Sequence, residues 1–146
     1  MRVELAGAES ACAELVRAGI QCTCRADGLS LLWDKLCFLA PLALATTALD
    51  QPLGGVRDDP RYWGCCDEAL AVAAAEGAKV DLRALFALRD GAPDEMRSSM
   101  QKAVAAGREP ELDAIAGPIL RGGQRHRIPV PCTEDLTRLI AVRAPA

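Results

Sequence analysis

The stretch LLWDKLCFLAPLALATTAL, residues 31–49, decides the fold class because it is the most apolar part of the chain. Leucine and alanine dominate it, and both favour helix. It predicts a long helix from about Leu29 to Leu49, kinked or split at Pro41. Its apolar run, residues 36–49, is shorter than the roughly 20 residues that span a bilayer. The stretch therefore predicts a buried helix in a mainly α domain and no membrane segment.

The composition of the whole chain agrees with one folded domain. The chain has 146 residues, of which 51% are hydrophobic but only 3% aromatic, so leucine, alanine and valine are expected to build the core. The 17 lysines and arginines are scattered and the net charge is -3, which argues against a nucleic-acid surface. Glu4 and Glu9 interrupt the segment where a signal peptide needs an apolar run. We expect a soluble, cytoplasmic protein.

The N-terminal residues are expected to be a small unit of their own. Residues 8–18 have helical spacing and stop before Gly19, and residues 20–24 (IQCTC) alternate like a strand. One strand cannot form a sheet alone. We therefore expect residues 1–28 to be a helix–strand remnant of a larger domain, with an edge that a dimer partner covers. Residues 29–146 are expected to form the helical substrate or dimerisation domain.

Turn and cap residues divide the helical part. Residues 50–60 are rich in Pro, Gly and Asp and predict a loop. Asp81 is an expected N-cap, and Ser98 with Gln101 has the spacing of a capping box. Further helices are predicted at 61–76, 80–88, 98–107, 110–126 (with Pro110 in its first turn) and 133–142 (capped by Thr133). The whole predicts an all-helical bundle after a short αβ fragment.

The seven cysteines do not indicate a disulfide framework or a metal site. They stand at odd spacings without a CxxC pair, and His126 is the only histidine. A zinc site is therefore not expected. The cysteines are predicted to be mostly buried thiols that act as small apolar residues.

Three polar residues are candidates for chemistry, although each also has an ordinary structural interpretation. Lys35 can lift its ammonium to solvent, Ser99 can be a plain helix serine, and Glu111 can complement a helix dipole. Together, a lysine, a hydroxyl and a carboxylate in one cleft can bind a keto acid and give a proton to its carbonyl oxygen. Spacing alone does not show that they converge.

Four motifs in order resemble the C-terminal domain of ketopantoate reductase (2-dehydropantoate 2-reductase). The resemblance covers about residues 29–142, and residues 1–28 resemble the last helix and strand of the family's nucleotide-binding domain. The family patterns are W-x-K-L, S-S-M, G-R-x-T-E-I-D-x-x-N-G and G-I-x-x-P. The matching segments are LLWDKL (31–36), SSM (98–100), GREPELDAIAG (107–117) and RHRIPVP (125–131).

The resemblance implies a role for each candidate. Lys35 matches the catalytic lysine, which gives a proton to the keto oxygen, and Glu111 matches the glutamate that assists it. Ser98 and Ser99 match the serine pair, which caps a helix and presents a substrate contact. Leu39 and Ala43 lie four and eight residues after Lys35 and are expected to form the floor of the substrate cleft.

The sequence also departs from the family. Leu39 and Ala43 stand where the family has asparagines, and so do Ala116 and Thr133, while Ala103 replaces an aspartate. A substrate with several hydroxyl groups would lose hydrogen bonds that are each worth about 1 kcal/mol. The polar lining of the family is predicted to be largely apolar in this chain.

The cofactor expected from the resemblance is NADPH, but no G-x-G-x-x-G follows a strand and opens a helix. The chain is therefore expected to hold no cofactor itself and to meet NADPH only if another chain supplies a Rossmann domain. Reduction of a 2-keto acid or related carbonyl compound is the first hypothesis. The alternatives are a stand-alone domain that binds an apolar ligand or performs cofactor-free acid/base chemistry, such as cyclisation or isomerisation, and a dimerisation module.

Overall fold

A 22-residue helix, α2 (Gly28–Leu49), forms the centre of the computed structural model, which describes residues 2–143. It begins where the Asp27 carboxylate accepts a hydrogen bond from the Ser30 backbone N–H (3.1 Å), and it ends at Asp50, which is left-handed (φ 53°). Residues 41–48 are all buried. The predicted long buried helix is confirmed, and it stays continuous through Pro41, so of the two predicted effects of that proline, a kink or a split, the split does not occur.

Nine helices and two strands make up the described part of the chain. Two buried clusters form the core; one centres on Leu44, Tyr62 and Leu136, the other on Trp33, Val72 and Ile119. In chain order the elements are β1 (Arg2–Ala6), α1 (Glu9–Arg17), β2 (Gln21–Arg25), α2, α3 (Leu53–Val56), α4 (Pro60–Ala75), α5 (Leu82–Asp90), α6 (Ser99–Ala105), α7 (Leu112–Ile115), α8 (Gly117–His126) and α9 (Pro131–Arg143).

Helix α2 is also, within residues 2–143, the one helix long and apolar enough to cross a membrane by length and composition. It exceeds the apolar run predicted from sequence because the helix includes the segment before Leu36. Half of its most apolar window is buried inside the protein, where α4, α9 and α6 pack against it. The core helix of a soluble protein meets the same criterion, so its length is weak evidence for a membrane segment.

The N-terminal unit is a parallel β–α–β arrangement. Strands β1 and β2 pair in parallel from Arg2 opposite Gln21 to Ala6 opposite Arg25, and α1 connects them. The predicted helix and strand are confirmed, but the expectation that the strand has no partner is wrong. Residues 2–6 supply that partner; the sequence signal was weak because only Val3 and Leu5 alternate in it. Arg25 joins this unit to α2 through the Asp34 carboxylate, 2.6 Å away.

Two boundaries differ from the predicted ones. The predicted loop at residues 50–60 contains the one-turn helix α3. The single helix predicted from Pro110 to His126 is two helices, α7 and α8, and Pro110 precedes both. Pro118 lies in the first turn of α8 and has no backbone N–H, so it favours a new helix start at this point.

Two predicted helix caps are confirmed, and the start of a third helix is held by a side chain that is distant in the sequence. Asp81 caps α5, and Ser98 caps α6 by accepting a hydrogen bond from the Gln101 backbone N–H (3.1 Å). The Gln101 side chain donates to Asp50 instead of completing the capping box. Thr133 lies inside α9 and does not cap it. The start of α9 is instead held by the buried carboxylate of Glu68 on α4.

Helices α4 and α8 approach closely at Gly122. A Cβ added there would lie 2.3 Å from Cγ1 of Val72. We expect Gly122→Ala to lower the free energy of unfolding by about 1–2 kcal/mol, because the overlap outweighs the better helix propensity of alanine. Chemical denaturation measures this. In the double variant with Val72→Ala, the loss of stability should be smaller than the sum of the losses in the two single variants. A Gly122→Ala variant that is more stable than the wild type would contradict the close contact.

Candidate functional site

A cleft of about 330 Å³ opens between α2, α6 and α7. Helix α2 contributes an apolar wall, and the segment between α6 and α7 contributes the charged rim. Ser99 lies at the start of α6, beside that rim. The lining residues are Leu39, Ala43, Ser99, Met100, Ala103, Arg108, Glu109, Glu111 and Ile115. Apolar and charged groups therefore meet in one small concave site, which is the composition of a small-molecule pocket.

The two serines before this cleft have different surroundings. Ser98 is only 5% exposed, and its hydroxyl caps α6 and accepts a hydrogen bond from Thr46 (3.0 Å). Ser99 is exposed and lines the cleft. Ser99 is therefore the serine of the pair that lines the cleft, and Ser98 is the one that caps α6.

Lys35 lines a second cleft, of about 300 Å³, that adjoins the first. Leu39 and Ile115 line both clefts and form the wall between them. The remaining lining of the second cleft is apolar apart from Lys35: Leu29, Leu32, Trp33, Leu36, Ala114 and Pro118. The lysine thus faces an apolar groove beside the cleft that holds Ser99 and Glu111, not the same cleft.

Lys35 and Glu111 are both exposed, and within residues 2–143 no ion pair joins their side chains. Water solvates exposed charges well, so neither group needs the other for compensation. Leu39 and Ala43 do lie on the wall below Ser99 and Glu111, as their spacing on α2 predicts.

Arg108 is a cleft residue that the sequence reasoning missed. Arg108 is exposed and lines the cleft together with Glu109 and Glu111, and it forms no ion pair with any described residue. A free guanidinium is the natural partner of a carboxylate, because its planar fork matches the two oxygens. The signal was the arginine of GREPELDAIAG, a segment that the sequence analysis used only as a family motif.

Neither a metal site nor a nucleotide site fits the described residues. No cluster of three His, Cys, Asp or Glu residues is placed to hold a metal ion. The β1–α1–β2 unit has the parallel topology of a part of a nucleotide-binding fold, but Gly7 is the only glycine between β1 and α1. Glu9 also occupies the first turn of α1, where its charge would repel a pyrophosphate. NADPH therefore does not fit this unit.

Residues 27–144 match a family model described as ketopantoate reductase PanE/ApbA C terminal. The chain belongs to this family. Three of the five departures from the family pattern, Leu39, Ala43 and Ala103, line the cleft. The other two, Ala116 and Thr133, are buried in the core, so they do not alter the cleft lining.

Two solved structures of ketopantoate reductases superpose on this chain with high TM-scores. A PanE/ApbA family ketopantoate reductase from Ralstonia eutropha is 26% identical, has a TM-score of 0.81, and matches over 97% of this chain and 50% of its own. The 2-dehydropantoate 2-reductase from Geobacter metallireducens is 27% identical, has a TM-score of 0.78, and matches over 92% of this chain and 47% of its own.

A third structure shares the fold at lower identity. The dimeric ketopantoate reductase from Staphylococcus aureus is 20% identical, has a TM-score of 0.80, and matches over 94% of this chain and 50% of its own. The chain thus spans about half the length of each of these three structures. A comparison with curated proteins finds no match.

Proposed function

We propose that this chain is the substrate-binding half of an NADPH-dependent reductase, and that its substrate is a 2-oxo acid with an apolar side chain. The observation that supports the proposal is the cleft in which Arg108, Ser99 and Glu111 stand above a wall of Leu39 and Ala43. The nucleotide-binding domain would be supplied outside these 146 residues. The predicted cytoplasmic location is part of this proposal.

Each side chain has a distinct task in this proposal. Arg108 binds the substrate carboxylate through two parallel hydrogen bonds, and Ser99 donates a third. The apolar wall contacts the carbon chain of the substrate and excludes water from it. Lys35, whose long side chain reaches over Leu39 from the second cleft, gives a proton to the carbonyl oxygen. Glu111 orients the substrate and balances the charge of the two cations.

The apolar wall implies a preference that calorimetry can test. The purified chain should bind 4-methyl-2-oxopentanoate about tenfold more tightly than ketopantoate, because the ketopantoate hydroxyl would lose its water without gaining a partner. Arg108→Met should weaken the binding of both acids to a similar extent. Equal or tighter binding of ketopantoate would refute the preference, and an unchanged affinity in Arg108→Met would refute the carboxylate site.

The side chain at position 39 is expected to set this preference. Leu39→Asn restores a hydrogen-bonding group and should move the affinity ratio toward ketopantoate about fivefold. Calorimetry with the same two acids measures the ratio. Leu32→Asn is the matched control, because Leu32 is also on α2 but lines only the second cleft. A similar shift in both variants would show that the effect does not arise in the first cleft.

The proposed assembly is a homodimer. The Staphylococcus aureus relative is described as dimeric, and each strand of the two-stranded sheet has an edge left unpaired within residues 2–143. Such edges favour pairing or cover by another chain. Light scattering should therefore give the mass of a dimer at high concentration, whereas a monomer mass at every concentration would contradict this.

A second candidate function is cofactor-free chemistry on an apolar ligand. The poor fit of the β1–α1–β2 unit to a nucleotide favours it, and Lys35 with Glu111 could then act as acid and base in a cyclisation or isomerisation. Binding of apolar ligands without a carboxylate, unaffected by Arg108→Met, would favour this candidate over the reductase.

A further inference from the structure

Glu109 is, within residues 2–143, the one charged side chain of the first cleft to which the proposed function gives no task. It is exposed, and it forms no ion pair with any described residue. Arg108 and Glu111, its near neighbours in the sequence, also line the cleft. The charged rim therefore consists of one cation and two carboxylates, and one of the carboxylates has no partner assigned to it.

The backbone on both sides of Glu109 is constrained. Helix α6 is followed by Gly107 in the left-handed conformation (φ 70°), and the Arg108 backbone N–H donates to the carbonyl oxygen of Ala103 (2.9 Å). This is the hydrogen bond of a Schellman motif, which fixes the direction in which the chain leaves a helix. On the other side stands Pro110, whose ring fixes φ. The local sequence thus keeps Glu109 at the rim of the cleft.

The described residues that line the two adjoining clefts include only two cations. Arg108 lines the first cleft and Lys35 lines the second. In the proposed function Arg108 binds the substrate carboxylate, and Lys35 gives a proton to the carbonyl oxygen. A second carboxylate on the substrate would therefore find no free cation among these residues. It would lie either against the apolar wall or beside Glu109 and Glu111.

Both of these places are unfavourable for a carboxylate. Against the wall it would lose its water without gaining a hydrogen bond, which costs free energy. Beside the rim it would meet carboxylates of the same sign, and like charges a few ångströms apart repel each other. An uncharged alkyl end has neither cost. The charge at the rim therefore distinguishes substrates that the apolar wall alone does not distinguish.

We propose that Glu109 is a specificity-determining residue, whose carboxylate disfavours the binding of 2-oxo dicarboxylic acids such as 2-oxoglutarate in the first cleft. This inference rests on the proposed function, and it adds a criterion of charge to the preference for an apolar side chain. The wall disfavours any polar group, whereas Glu109 disfavours only a negative one. Repulsion of the wrong ligand is one of the two ways in which a site achieves specificity.

Two ligands separate the effect of charge from that of polarity. 2-Oxoglutarate carries the second carboxylate, and its 5-methyl ester has the same carbon chain with a polar but neutral end. Calorimetry at low salt should show that the wild-type chain binds the ester about tenfold more tightly than 2-oxoglutarate. Glu109→Gln keeps the size of the side chain and removes its charge, and it should lower this affinity ratio about threefold, since the charge is exposed.

Glu95→Gln is the matched control, because Glu95 is another exposed glutamate that lines neither cleft, and it should leave the ratio unchanged. Salt gives a second readout, because ions screen exposed charges. Raising the salt concentration from about 0.01 M to about 1 M should lower the ratio in the wild type and change it less in Glu109→Gln. A merely structural role of Glu109 would not produce this difference.

Equal binding of the two ligands by the wild type, or the same change of the ratio in the Glu109 and Glu95 variants, would overturn the inference and leave the proposed function in place. If the wild type bound neither the ester nor 4-methyl-2-oxopentanoate, the proposed function would fail and this inference with it. The salt dependence of the wild-type ratio tests the repulsion even if a variant folds poorly, and a ratio independent of salt would contradict it.

Discussion

Glu68→Ala is expected to lower the free energy of unfolding by about 3 kcal/mol, because one buried carboxylate satisfies three donors at the start of α9. The backbone N–H groups of Cys132 (2.7 Å) and Thr133 (2.8 Å) donate to it, and so does the Thr133 hydroxyl (2.6 Å). Alanine would leave the two backbone N–H groups without this partner, and α9 would lose one of its polar contacts with α4.

Chemical denaturation measures the loss, and hydrogen exchange of the α9 amides shows whether that helix frays first. Asp67→Ala is the matched control, since Asp67 is the exposed neighbour on the same helix and should change stability by less than about 0.5 kcal/mol. A Glu68 variant as stable as the Asp67 variant would show that water replaces the carboxylate at no cost.

Lys35→Met is expected to reduce kcat about 10²- to 10⁴-fold, because it removes the proposed proton donor while keeping the aliphatic length of the side chain. The assay needs a nucleotide-binding domain. A fusion of this chain behind that domain of the Ralstonia eutropha enzyme, which superposes with a TM-score of 0.81, supplies one. The substrate is the 2-oxo acid that calorimetry favours, and NADPH absorbance follows the reaction.

A second exposed lysine provides the control, and substrate affinity distinguishes a role of Lys35 in the chemical step from a role in binding. Lys102→Met changes another exposed lysine, on α6, that lines neither cleft, and it should leave kcat unchanged. Lys35→Met should bind the oxo acid nearly as well as the wild type, since Arg108 holds the carboxylate. A Lys35 variant that keeps more than a tenth of the wild-type kcat would remove Lys35 from the chemistry.

Local signals in the sequence predicted the helices well. Asp81 and Ser98 cap α5 and α6 as expected, and Gly77 and Gly107 follow their helices with positive φ. Each of these signals depends on a few neighbouring residues, which a sequence displays directly. The break between α7 and α8 was also local, at Pro118, and was missed because the apolar spacing on both sides continued through it.

Contacts between residues that are distant in the sequence could not be predicted from local patterns. The cap of α9 comes from Glu68, 65 residues before Thr133, and no spacing rule connects the two. The candidate site was predictable only in part. The spacing on α2 places Leu39 and Ala43 on one wall, but whether Lys35 shares their cleft depends on how α7 crosses α2. Whether Arg108 lines that cleft also depends on how α7 crosses α2.

The partition formed by Leu39 and Ile115 has a consequence for the movement that proton transfer needs. The two side chains belong to different helices, α2 and α7, and they line both the cleft that holds Arg108 and the cleft that holds Lys35. The carbonyl of a 2-oxo acid is bonded directly to the carboxyl carbon, so a ligand anchored at Arg108 keeps its carbonyl oxygen in the first cleft whatever the length of its side chain. On the proposed function, the Lys35 side chain must therefore swing over Leu39 to reach that oxygen, so the lysine, and not the substrate, crosses the partition.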